Sequence, residues 1–135
     1  KVDKKLVSLF DLQLEEIIRG KNTTATLADV EDIQKTLDAY KLTGQDYLYE
    51  YIELIKGMKM GNTDKVLEMC KRVFPKMADE KIAYLYFMPI LSLKGKWNDK
   101  QKEELDTLTE QLAEQVEMST LKASLRNFKT AIARL

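Results

Sequence analysis

The chain predicts an all-α domain, and three observations predict it. Apolar residues recur at spacings of three and four along nearly the whole length, which is the period of one helix face. Five Gly and two Pro in 135 residues leave little turn chemistry for strands. The places where helices must begin and end carry Ser, Thr, Asn or Asp on one side and Gly or Pro on the other.

Seven helices follow in order. The first spans about Val2 to Arg19, with Leu6, Leu9, Phe10, Leu14 and Ile17 on one side and Gly20 at its stop. A polar loop, Asn22 to Thr26, leads to a second helix capped by Thr26 or Asp29, on which Val30, Ile33, Leu37 and Tyr40 repeat until Gly44. Asp46 opens the third, which runs to about Met60. Gly61 and Asn62 make the turn, and Thr63 or Asp64 starts a fourth helix that ends at Phe74, before Pro75. The fifth runs from Asp79 to Gly95. The sixth starts at Asn98 or Asp99 and reaches about Met118, and Ser119 or Thr120 caps the seventh.

Composition removes several classes of function. With 44% hydrophobic and 33% charged residues the chain is neither disordered nor membrane-spanning. Lys plus Arg and Asp plus Glu number 22 each, so the net charge is zero and the field of a nucleic-acid binder is missing. No His exists, which removes the commonest general base, the Ser-His and Cys-His pairs and every imidazole metal site. Cys70 is the single cysteine and cannot form an internal disulfide, an arrangement that favours the cytoplasm. No cofactor and no metal are expected. Glu110, Glu114 and Glu117 share a helix side, but the His that di-iron bundles pair with Glu is lacking.

A shift of 35 residues sets Tyr49, Tyr51, Ile55, Lys59, Asp64, Lys65 and Glu68 on identical residues at Tyr84, Tyr86, Ile90, Lys94, Asp99, Lys100 and Glu103. A period of that length is the mark of stacked helix pairs. It divides the single domain into three antiparallel pairs, residues 1–44, 45–75 and 79–118, with 119–135 as a capping helix. The stretch from Lys59 to Phe74, with its Gly61-Asn62 turn and Val66, Cys70 and Val73 on the following helix, resembles the second half of a tetratricopeptide repeat. The resemblance implies a superhelix or bundle whose first helices, the first, third and fifth, line a concave surface that receives a peptide or a partner helix. Glu53 and Gly57 depart from the family's usual Leu and Tyr. Gln13 and Glu16 stand where its carboxylate clamp would need Lys and Asn, so a C-terminal carboxylate is not the ligand implied.

The fifth helix is unusual, because Ile82 to Leu93 has Ser92 as its one polar residue apart from the tyrosines. It is either central to the core or it turns a second apolar face to a partner. Tyr84, Met88 and Leu91 share a strip whose repeat equivalents, Tyr49, Glu53 and Lys56, are largely polar. That contrast places a groove beside the fifth helix. Pro89 inside it removes an amide and predicts a kink or break near residue 85. Five methionines, Met58, Met60, Met69, Met77 and Met88, crowd the middle third, where flexible thioethers suit a surface that adapts to apolar ligands or fill gaps in the core.

The sixth helix carries net −5 over residues 101–117 and the seventh net +4 over 119–135, so the two are expected to neutralise one another. On the seventh, Leu121, Leu125, Phe128, Ile132 and Leu135 form a stripe for packing. The resulting expectation is a non-catalytic domain that binds a protein or peptide with apolar or aromatic anchors through Tyr49, Lys56, Met60, Tyr84, Met88 and Leu91. It neither contacts nucleic acid directly nor enters a membrane, and a homodimer is compatible with it. The alternative is the ligand-sensing half of a larger regulator similar to bacterial peptide-responsive transcription factors, with a DNA-binding segment before Lys1.

Overall fold

The computed structural model describes residues 4–22, 24–40, 46–76, 80–117 and 119–135. Among these, seven α-helices and one 3-10 turn occur and no strand: α1 (Lys4–Ile18), α2 (Leu27–Ala39), α3 (Asp46–Lys59), α4 (Thr63–Val73), the turn Phe74–Lys76, α5 (Glu80–Ser92), α6 (Asp99–Gln115) and α7 (Ser119–Ile132). The chain is all-α.

Helix ends follow from local chemistry. The hydroxyl of Thr26 accepts from the amide of Asp29 at 3.3 Å while the Asp29 carboxylate accepts from the amide of Thr26 at 2.9 Å, a complete capping box at the start of α2. Asn98 and Gln101 build the same box on α6. At α4 the cap is Asn62, whose side chain accepts from the amide of Lys65 at 3.1 Å. Gly61 closes α3 with a positive φ of 65°, which lets the amide of Asn62 reach back to the carbonyl of Gly57 at 2.8 Å. The expected stop of the second helix at Gly44 lies outside the described residues. So do the start of the fifth helix at Asp79 and the end of the sixth at Met118.

The core is built around α3 and α5. Leu48, Ile52, Leu54 and Ile55 of α3 and Leu85 and Ile90 of α5 are fully buried, and each such side chain contributes about 1.5–3 kcal/mol on leaving water. α1 packs on both α3 and α5, α2 on α3, α4 on α3, α5 and α6, and α7 on α5 and α6. Consecutive pairing therefore holds for α3 with α4. By contrast α1 rests mainly on α3, and α6 rests on α7 and α4 more than on α5. The helices α1, α3 and α5 touch one another in a closed trio rather than an open row. Gly57 explains the close approach of α3 and α4: a Cβ there would meet the Val66 side chain at 3.2 Å. A Tyr at that position would force the two helices apart.

Three expectations change. Leu9 is 48% exposed and Tyr40 is 55% exposed. On α1 the buried stripe is Phe10, Leu14, Ile17 and Ile18, and Leu9 lies about 100° round from Phe10. Tyr40 is the C-cap of α2, one step past the last packed turn. The helix α5 runs unbroken through Pro89, with no break near residue 85. Its last turn is instead closed by side chains, the Ser92 hydroxyl donating to the carbonyl of Pro89 at 2.8 Å and the Trp97 indole to that of Ile90 at 2.9 Å.

Candidate functional site

The two sides of α5 differ. Ala83, Leu85, Tyr86, Phe87 and Ile90 are buried, while Tyr84 is 49% and Leu91 37% exposed, with Met88 half-buried between them. Opposite this strip runs α7, held down by Leu121, Leu125, Phe128 and Ile132. A cleft of about 240 Å3 opens between the helices, with Tyr84, Met88 and Leu91 on one wall and Ser124, Asn127 and Ala131 on the other. Its remaining lining is Phe87 and Phe128, whose rings stack 3.8 Å apart and within 10° of parallel. Phe74 meets Phe87 edge-on at 6.1 Å.

At one end of the cleft the Arg19 guanidinium of α1 lies 5.7 Å from the centre of the Tyr84 ring. Such a contact contributes about 0.5–1 kcal/mol at an exposed site and fixes the ring plane. Glu15 pairs with Arg19 at 3.8 Å.

Of the residues expected to bind a partner, the structure brings Tyr84, Met88 and Leu91 together and sets the others apart. The Tyr49 hydroxyl donates to the Asp38 carboxylate at 2.9 Å, and Lys56 donates to the Gln34 side chain at 2.8 Å. Both tie α3 to α2 instead of facing the cleft. Lys56 also pairs with Glu53 at 3.5 Å, and Glu53 with Lys65 at 2.7 Å. The hydrogen bond from Lys65 lowers the Glu53 carboxyl pKa. Met60 lies just past α3, 62% exposed, and does not line the cleft. The α7 wall escaped the sequence reading. Its signal was present in Ser124, Asn127 and Ala131, which flank Phe128 at −4, −1 and +3 on the stripe already assigned to packing.

The second cleft, between α4 and α6, holds about 380 Å3 and is lined by Lys71, Lys100, Glu103, Glu104, Thr107 and Leu108. Lys71 pairs with Glu104 across it at 2.9 Å. Cys70 is fully buried and Tyr86 nearly so, and burial raises the pKa of both. No group of three His, Cys, Asp or Glu among the described residues is placed to hold a metal ion. None of the described helices is long and apolar enough to cross a membrane.

No family model matches the chain, and neither a curated protein nor a solved structure does.

Proposed function

We propose that the chain is a non-catalytic interaction domain of tetratricopeptide-like character, working in the cytoplasm, that binds a peptide or partner helix in the cleft between α5 and α7. One observation carries this reading. An aromatic and two aliphatic side chains stay in partial contact with water around an aromatic-floored recess, where a soluble monomer ordinarily covers such a patch. The recess accepts an aromatic or Leu anchor, and burial of that anchor dominates affinity. Asn127 on the opposite wall supplies hydrogen bonds for a partner's polar groups.

The test is replacement of Met88 and Leu91 by Ser. The expected outcome is loss of partner capture with unchanged helical circular dichroism and nearly unchanged melting. Unfolding of the double variant would make these residues core and remove the reading.

A further inference from the structure

We propose that the outer face of α1 joins the chain to a second copy of itself, as an antiparallel pair of α1 helices related by a twofold axis. This surface is separate from the cleft between α5 and α7, which no residue of α1 lines.

The order of residues along that face carries the argument. α1 packs on α3 and α5 and buries Phe10, Leu14, Ile17 and Ile18. On its opposite side Lys5, Leu9, Leu12 and Glu16 follow at steps of four, three and four, within about 60° of one another round the helix. Leu9 is 48% and Leu12 57% exposed, Lys5 is exposed and Glu16 half-buried. Such spacing is the seam along which two helices pack. The strip is also its own complement when reversed, since it reads cation, Leu, Leu, anion. Laid antiparallel on its copy about the midpoint of Leu9 and Leu12, it sets each Leu9 on the second copy's Leu12 and each Lys5 on the second copy's Glu16. Every contact is then made twice, as a twofold interface demands.

α1 is, moreover, charged against its own dipole. It has no acid in its first turn and no base in its last, and it carries Lys4 and Lys5 at the positive end and Glu15 and Glu16 at the negative end. α4 does the reverse, with Asp64 in its first turn and Lys71 and Arg72 in its last. Arg19 meets Glu15 at 3.8 Å, but Lys5 and Glu16 make no ion pair among the described residues. An antiparallel copy answers both ends at once, bringing a Glu16 to the positive end and a Lys5 to the negative one. A parallel copy would set Lys5 on Lys5 and Glu16 on Glu16, an arrangement that like charges oppose. Contact with a different protein gives the strip no reason to complement itself, whereas a twofold contact does.

The test is sedimentation equilibrium of the intact chain. A reversible monomer–dimer equilibrium is expected with Kd on the order of 10–100 μM, because one helix pair buries less than the roughly 1,200 Å2 of a standard interface. Leu9→Ser with Leu12→Ser should leave a monomer throughout that range with unchanged circular dichroism. Lys5→Glu alone, or Glu16→Lys alone, should weaken association about tenfold, and the two combined in one chain should restore it. Unfolding does not mimic these losses, because either single change sets α1 in better accord with its dipole. Mixing the two single variants should give a heterodimer of the parent's affinity. A chain that stays monomeric to about 1 mM would overturn the proposal and leave the face to a different protein. A dimer indifferent to Leu9 and Leu12 would overturn it too. A dimer that needs both leucines but ignores the single charge changes would be parallel, and the antiparallel pair would fall.

Discussion

The cleft between α4 and α6 is the larger of the two, about 380 Å3 against about 240 Å3, and it is the one crossed by an ion pair of its own. Lysines and glutamates alternate along it and Lys71 meets Glu104 across it, so a charged ligand would have to displace an existing ion pair to enter. The smaller cleft requires no such exchange. Each CH2 that a partner buries between α5 and α7 adds about 0.8 kcal/mol, and no charged side chain lines that cleft to be displaced. Volume alone would have chosen the wrong surface. What separates the two is the lining, charged and bridged in one and apolar and aromatic in the other.

The largest break in this comparison comes from the floor of the smaller cleft. Phe128 is 3% exposed and stacked on Phe87, so Phe128→Ala should cost about 3–5 kcal/mol in chemical denaturation. It should release α7 from α5 and abolish peptide binding with it. A variant that melts like the parent and still binds would show that the aromatic stack does not hold the cleft open.

The larger cleft has its own fastening. Gln101, at the start of α6, donates from one amide nitrogen to the Thr63 hydroxyl at 2.9 Å and to the Asp64 carboxylate at 2.7 Å, while its oxygen completes the α6 cap. Gln101→Ala removes a buried polar link and half a capping box together, for an expected loss of about 1–3 kcal/mol. Amide exchange should rise at the first turns of α4 and α6 and stay unchanged at the α5 and α7 wall residues. A rise in both places would mean that the two clefts are not independent.

How far these features could be read in advance depended on their range. Helix starts and stops act over four residues, so the Thr26 and Asn98 caps and the stops at Gly20 and Gly61 stand where the sequence placed them, whereas α5 ends at Ser92, three residues before Gly95. The α7 stripe was equally legible, because one periodic face can only be buried. Which helix it would lie beside was not: Phe128 meets Phe87 across a separation of 41 residues, and nothing local encodes that choice. Tyr49 and Lys56 show the same limit. Their spacing placed them on a strip equivalent to the cleft wall, but Asp38 and Gln34 of α2 reach them first. Translating a strip from one repeat to the next moves its positions and not its neighbours.

A smaller effect is expected at the rim. Tyr84→Ser with Leu91→Ser removes side chains that are already more than a third exposed, so the stability change should stay near 0.5–1 kcal/mol. Isothermal denaturation measures it directly. A loss as large as that of Phe128→Ala would place the rim in the core and end the contrast between wall and floor.

The smallest effect sharpens the comparison through pH. The hydrogen bond to Glu104 raises the Lys71 pKa, its charge adds to the shift, and the pair is exposed to solvent and salt. Because the folded value lies above the unfolded one, about 10.4 for an ordinary Lys, the pair's stabilisation is complete below that value. It is lost as pH rises through the raised folded pKa. The melting difference between the parent and Lys71→Ala should therefore be constant from neutral pH to about pH 10, shrink above it, and be diminished throughout by added salt. The difference between the parent and Leu91→Ser should be flat over the same range, since Leu91 removes apolar contact and no proton. A Lys71 difference that persists to high pH would mean that its alkyl stem, and not its charge, does the stabilising. The larger cleft would then be apolar at heart, and the distinction drawn from its charges would fail.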